Sequence, residues 1–213
     1  MKTGGNTTTY AYYTYDEFEV TQNHRYLWPA VLRELPPNSG TPLSVLDAGC
    51  GTGAFAAVLR DRKYEVSAFD LSESGIELAR KSAPGIRFES LSVYDNLIED
   101  FQTPFDVIIS IEVIEHLYDP DTSLRRLREV IKPEGTLILT TPYHGYLKNL
   151  LIAAGGRCDA HYTPLKVGGH IKFWSRKTLE TLLSRNGFRV KRFRGVGRMP
   201  GLWKSHVVVA RPV

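Results

Sequence analysis

The chain predicts an α/β fold, a mostly parallel seven-stranded sheet with helices on both faces. Three observations carry that expectation. Short apolar runs alternate in strict order with stretches of helical periodicity, which is the pattern of strands joined by crossover helices. The first run empties into a glycine-rich turn, "LDAGCGTGAF". Proline and glycine in "KPEG" and glycine in "NGF" stop helical stretches just before new strands.

Taken in order, "LSVLDAG" (43–49) reads as a buried strand and "AFAAVLRDR" as its helix, with Phe55, Val58 and Leu59 at helical spacing. "YEVSAFD" (64–70) is the second strand. Ser72 caps the helix "ESGIELARKSA", since its hydroxyl can accept from a first-turn amide. "IRFESLS" and "FDVIISI" are the third and fourth strands, and "VIEHLYD" is expected to open a helix after the fourth. "DTSLRRLREVI" is an amphipathic helix ahead of the strand "TLILTT". An irregular stretch follows to about residue 172, and its apolar part, "YLKNLLIAAGG", fits a core helix, a substrate lid or an interfacial helix. "SRKTLETLLSRNGF" is a capped helix, and "FRVKRF" and "HVVVARP" are the closing strands. The first 40 residues, rich in tyrosine and ending in "PPNSG", are expected as a helix or lid with a linker. The domain then spans 41–213, with a substrate-side insertion at about 142–172.

Composition narrows the classes. With 213 residues, 42% of them hydrophobic, the chain can bury a full single-domain core. A net charge of +4 favours an anionic ligand and is too small to imply nucleic acid. Arg185, Arg189, Lys191, Arg192, Arg194 and Arg198 supply most of that surplus and are expected on a solvated strand and its loops. The cysteines, Cys50 and Cys158, form no disulfide framework, and the start lacks a charged-then-apolar leader. A reducing cytoplasm is the expected location. No apolar run approaches the ~20 residues of a transmembrane helix.

The glycine loop carries the chemistry. Gly49, Gly51 and Gly53 stand where a backbone must turn tightly and approach a ligand. Gly49, Gly51 and Ala54 also satisfy the dinucleotide fingerprint, which raises a nicotinamide enzyme as an alternative. "YTPLK" (162–166) imitates that alternative's tyrosine and lysine, but Pro164 opposes the single helix they need. Three carboxylates bear on the choice. Asp70 ends the second strand, where an acid can accept from ribose hydroxyls, and Asp95 follows the third strand, placed to accept from an adenine amino group. Asp47 precedes the glycines, where it would repel a pyrophosphate but face an ammonium group.

With these residues the sequence resembles the S-adenosylmethionine-dependent methyltransferases of the Rossmann-like class, through "VLDAGCGTGAF", "AFDLSESGIELAR", "FDVIISIEVIEHLYDP" and "LREVIKPEGTLILTTP". The resemblance implies a sheet with an antiparallel last strand, supplied by "SHVVVARPV". It also implies that Asp47, Gly49, Gly51 and Gly53 border the methionine part of the cofactor. Asp70 would bind the ribose, Asp95 the adenine, and Ile111 with Glu112 would line the site.

Glu112, Glu115 and His116 lie three and four residues apart, so in a helix all three share one face. The run resembles two narrower families, the O-methyltransferases of ubiquinone biosynthesis and the enzymes that methylate the terminal 2′-hydroxyl of small RNAs. Both have a Glu-x-x-Glu-His run and a further histidine downstream, here His170 in "GGHIKFW". That resemblance implies a divalent cation, Mg²⁺, Mn²⁺ or Zn²⁺, held by Glu112, Glu115, His116 and His170. A metal lowers the pKa of a hydroxyl and holds it in line with the methyl donor. His144, after the fifth strand, is a candidate general base or substrate ligand. Tyr12, Tyr13, Tyr15, His24 and Trp28 are candidates for an aromatic lid. The expected activity is methyl transfer to a hydroxyl of a small-molecule acceptor. The alternatives are a small-RNA terminal methyltransferase and a non-catalytic module that binds the cofactor.

Overall fold

The computed structural model describes residues 24–38 and 40–213. Tyr12, Tyr13 and Tyr15 lie outside the described residues. The strands are β1 (Ser44–Ala48), β2 (Glu65–Asp70), β3 (Arg87–Ser90), β4 (Phe105–Ile111), β5 (Ile131–Pro142), β6 (Phe188–Val196) and β7 (Ser205–Pro212). They form one sheet in the order β3-β2-β1-β4-β5-β7-β6. Strands β1 to β5 pair in parallel, and β7 runs antiparallel between β5 and β6. The strand order reverses between β1 and β4, so a crevice opens beyond their carboxyl ends.

The helices are α1 (His24–Leu32), α2 (Ala54–Asp61), α3 (Glu73–Ser82), α4 (Leu97–Phe101), α5 (Pro120–Glu129), α6 (Tyr146–Ala154), α7 (Cys158–Tyr162) and α8 (Arg176–Arg185). Two apolar clusters flank the sheet. Leu46, Ile108, Leu137 and Val208 pack with α4, α5 and α8, while Val45, Val107, Ile109 and Ile138 pack with α1, α2 and α3. This alternation along each strand is why the strands read as continuous apolar runs. Each fully buried Leu or Ile contributes roughly 1.5–3 kcal/mol.

Caps hold several helices where the sequence puts them. Ser72 Oγ accepts from Gly75 N at 3.2 Å, and Ser175 and Thr178 form a reciprocal box at the start of α8. The late basic run is partly tied down. Arg185 pairs with Asp121, and Arg192 and Arg194 both pair with the buried Glu34.

Several expectations change. The stretch "VIEHLYD" is not a helix but one 3₁₀ turn, Ile114–His116, followed by extended Leu117. Asp119 precedes a proline, which disfavours helical backbone there, so α5 starts afresh at Pro120 with Asp119 as its cap. Strand β5 starts at Ile131, ahead of "KPEG", and its pairing with β4 slips between Phe105 and Val107 to absorb the proline and glycine. The stretch expected to be irregular contains α6 and α7. Tyr162 ends α7 and Thr163 has φ 43°, so Tyr162 and Lys166 share no helix, which leaves the dehydrogenase pair without its geometry.

Candidate active site

The glycine loop between β1 and α2 is built on positive-φ backbone. Gly49 has φ 82°, and a Cβ there would lie 2.5 Å from Val113 Cγ2, so the position admits no side chain. Its amide and that of Cys50 both donate to the Phe69 carbonyl, at 2.9 and 3.0 Å, which ties the loop to the end of β2. Gly51 has φ 53° and donates to Asp70 Oδ2 at 2.8 Å, while Ser72 N donates to Asp70 Oδ1 at 2.9 Å. Burial raises the Asp70 carboxyl above its ordinary value, and these backbone donors offset only part of that rise.

Asp47 is 2% exposed, and its Oδ2 has no hydrogen-bond partner. Burial, with the negative charge of Asp70 in second place, pushes its carboxyl up to about 7. A buried carboxylate oxygen without a donor is costly unless a ligand supplies one. The same surroundings raise the Cys50 thiol well above its ordinary range, so it is no nucleophile.

The crevice is a cleft of about 840 Å³. Asp47, Gly49, Gly51, Asp70, Ile111, Glu112, His116 and His170 all line it. Gly53 and Asp95 do not. A Cβ on Gly53 would lie 2.7 Å from Ala79 Cβ and 2.8 Å from the Phe88 ring, so this glycine lets α2 pack closely on its neighbours. Asp95 is exposed, and its carboxylate accepts from Ser92 N at 2.7 Å. The wall it was expected to form is made by Ser92, Val93 and Tyr94.

The acidic pair after β4 divides. Glu112 has φ 54°, an uncommon value for a residue with a side chain and a local strain next to the cleft. Its amide bonds to Thr140, and its carboxylate accepts from Thr140 Oγ1 at 2.9 Å and Ser205 Oγ at 3.3 Å. Burial pushes this carboxyl up to about 7. Glu115 is 1% exposed, with Oε2 accepting from Thr141 Oγ1 at 3.0 Å and Oε1 without a hydrogen-bond partner. His170 Nε2 lies 4.0 Å from that oxygen, and the His116 and His170 rings meet edge-on at 4.9 Å. One ligand atom each from Glu115, His116 and His170 falls within 4.8 Å of the others. Glu112 is outside this cluster because its reversed backbone aims the carboxylate toward β5 and β7 instead.

His144 is not among the residues that line the cleft. It is 8% exposed, and burial pushes it down to about 4, with the Asn149 side chain acting in the opposite direction. Trp28 lines the cleft and packs on Phe55 with centroids 5.4 Å apart. Sequence reasoning missed Lys148, 9% exposed, and Thr141, 0% exposed. A lone lysine within the apolar "YLKNLLIAA" was the available sign of the first, and nothing local marked the second.

A model of a family described as a methyltransferase domain matches residues 20–192. The chain belongs to this methyltransferase family. It is similar to the ubiquinone biosynthesis O-methyltransferase of Rickettsia canadensis (strain McKiel), 28% identical over 166 residues, covering 75% of this chain and 68% of that protein. The mitochondrial ubiquinone biosynthesis O-methyltransferase of Homo sapiens is 29% identical over 185 residues, covering 81% of this chain and 50% of its own length. Among solved structures, magnesium protoporphyrin IX methyltransferase from Synechocystis PCC 6803 with bound SAH shares the fold with TM-score 0.63 at 20% identity. That match covers 88% of this chain and 80% of that one. The methyltransferase is thus an S-adenosylmethionine-dependent enzyme, and its loop suits that cofactor. The unpartnered Asp47 oxygen suits an ammonium group, and Gly49 and Gly51 present bare backbone to the cleft. Among the described residues no helix is long and apolar enough to cross a membrane.

Proposed function

We propose that the enzyme methylates a hydroxyl oxygen of a small molecule and that Glu115, His116 and His170 hold a divalent cation that prepares this oxygen. The observation that carries the reading is the buried, unpartnered Glu115 Oε1 facing two imidazoles on the wall of the cofactor cleft. His116 Nδ1 lies 3.3 Å from the Gly169 carbonyl, and donating there selects the tautomer whose Nε2 carries the lone pair. Thr141 orients Glu115 through the other carboxylate oxygen. A cation in that place would supply the charge that lowers a hydroxyl's pKa.

On the cofactor side, Asp47 is assigned to the ammonium group, Asp70 to the ribose hydroxyls and the Ser92–Tyr94 wall to the adenine, with Asp95 bracing that wall. Gly49 and Gly51 let the backbone approach, and Ile111 closes the floor. Glu112 is assigned a supporting role, through Thr140 and Ser205, in place of the ligand role expected of it. S-adenosylmethionine supplies an electrophilic methyl group, and the chain's part is to align the acceptor with it and exclude water. With its pKa near 4, His144 is a weak proton acceptor, so we assign it to acceptor contacts rather than to general-base work. A small acceptor suits the molecule better than RNA, because Arg185, Arg192 and Arg194 are engaged in ion pairs. We place the enzyme in a reducing cytoplasm, in keeping with two free cysteines.

The test is calorimetric. Protein stripped with chelator and saturated with S-adenosylhomocysteine is titrated with Mg²⁺, Mn²⁺ and Zn²⁺, as wild type and as Glu115→Ala. The expected result is a one-to-one site in wild type that the variant lacks. Absence of binding in wild type removes the metal from the mechanism.

A further inference from the structure

A second groove, of about 490 Å³, opens between α1 and the end of β6 and shares no lining residue with the cofactor cleft. Four arginines line it, Arg25 and Arg33 from α1 and the turn after it, Arg194 and Arg198 from β6 and the loop after it. Among the described residues its lining includes no carboxylate. Tyr26, Pro29 and Ala30, three and four residues apart, turn one face of α1 toward β6. The opposite wall is held by close packing. Gly197 has φ 91°, and a Cβ there would lie 2.8 Å from Lys204 Cβ and 3.1 Å from Tyr26 Cδ2, so the loop closes on α1 only through bare backbone. The Tyr26 hydroxyl lies 3.2 Å from Ser205 Oγ, and Lys204 Nζ stands 5.1 Å from the Tyr26 ring centroid.

The groove is short of negative charge. The nearby carboxylate of Glu34, 8% exposed, is taken by Arg192 and Arg194 at 2.6 and 3.1 Å. Arg25, Arg33 and Arg198 make no side-chain hydrogen bond or ion pair among the described residues. Like charges gathered around one hollow repel each other unless an anion sits between them. We infer that this groove binds a small oligophosphate anion, held by the guanidinium groups of Arg25, Arg33 and Arg198. A guanidinium presents paired N–H donors that match phosphoryl oxygens two at a time, which is why arginine rather than lysine suits the task. The volume leaves room for linked phosphoryl groups, which can engage both walls at once. A nucleic acid would need a positive track leading away from the groove, and that track is interrupted because Arg185 is paired with Asp121 and Arg192 with Glu34. The site gives Arg198, part of the late basic run, a use separate from methyl transfer.

The probe is inorganic pyrophosphate, titrated by calorimetry into the full chain. The protein is stripped with chelator and saturated with S-adenosylhomocysteine, so that the cleft is filled and no cation bridges the anion to it. Sulfate and a short oligouridylate are the comparison ligands. Wild type should take up one pyrophosphate per chain, at least about tenfold more tightly than sulfate. Arg33→Ala and Arg198→Ala should each weaken it by about tenfold or more, the size expected of a charge-assisted contact. Arg189 is an exposed arginine of β6 outside the groove, so Arg189→Ala removes the same charge and should leave the affinity within about twofold. Absence of pyrophosphate binding in wild type, equal affinity for sulfate, or a loss in Arg189→Ala as large as in Arg33→Ala overturns the site. Oligouridylate binding tighter than pyrophosphate overturns it as well and assigns the groove to nucleic acid. If either groove variant fails to unfold cooperatively on heating, the other decides together with the wild-type comparison against sulfate.

Discussion

Replacing Asp47 with asparagine should flatten a pH dependence of cofactor affinity that the wild-type enzyme shows. Asp47 is 2% exposed, and its carboxyl is pushed up to about 7, so it is mostly neutral below that value. An ammonium group held against it favours the ionised form. S-adenosylhomocysteine, which carries that ammonium, should therefore bind more tightly as pH rises through about 7. With a pKa of about 7, the ionised fraction is about 3% at about pH 5.5 and about 75% at about pH 7.5, a gain of about 25-fold or ~2 kcal/mol. A charge pair at ~4 Å with an effective dielectric constant of ~20 is worth ~4 kcal/mol, enough for binding to select the ionised form. Isothermal titration calorimetry across this pH range, in buffers of different ionisation enthalpy, reads both the affinity and the proton released. Glu112 titrates near the same pH, but its contribution persists in Asp47→Asn, so the difference between the proteins isolates Asp47. Equal slopes in the two proteins, or a flat wild-type profile, would refute the assignment. Stability should move the opposite way. A carboxyl raised by folding contributes stability that is fully present below its unfolded value of 3.8 and is lost as pH rises through about 7. Asp47→Asn should accordingly raise the melting temperature of the cofactor-free protein above neutral pH.

Two further substitutions test the loop. Asp70→Ala removes the acceptor for Gly51 N and Ser72 N, and at ~1.5–3 kcal/mol per charged hydrogen bond it should weaken S-adenosylhomocysteine binding by more than about tenfold. Binding as tight as wild type would remove Asp70 from the cofactor site. Gly49→Ala combines ~1–2 kcal/mol of left-handed backbone strain with ~1–3 kcal/mol of overpacking against Val113, and should lower the melting temperature by about 4–20 °C. Gly85→Ala, at φ 89° with nothing within 4 Å, should cost only the first part, so similar melting temperatures for the two variants would discount the Val113 contact.

The sequence by itself determined the strands, most of the helices and the glycine loop, because these rest on local causes. Burial on both faces of a parallel sheet makes each strand a continuous apolar run, Ser72 and Ser175 cap from one residue away, and Gly49 and Gly51 mark backbone that bends the wrong way for a side chain. Asp47 and Asp70 were legible for the same reason, since each stands at the end of a strand whose direction the pattern already set. Tertiary structure decided the rest. Sequence spacing put Glu112, Glu115 and His116 on one helical face, but the positive φ of Glu112 and the proline at 120 replaced that helix with a single turn. Glu112 was thereby sent to Thr140 and Ser205, while Glu115 and His116 were left to meet His170, more than fifty residues away. Asp95 turned back onto its own loop, where its carboxylate accepts from the Ser92 amide. Likewise the His144 ring meets those of His161, Tyr162 and Phe173, which lie far along the chain from it. Only the packing of α6 and α7 beside the cleft takes Lys148 and His144 out of water together, an environment their sequence spacing does not show.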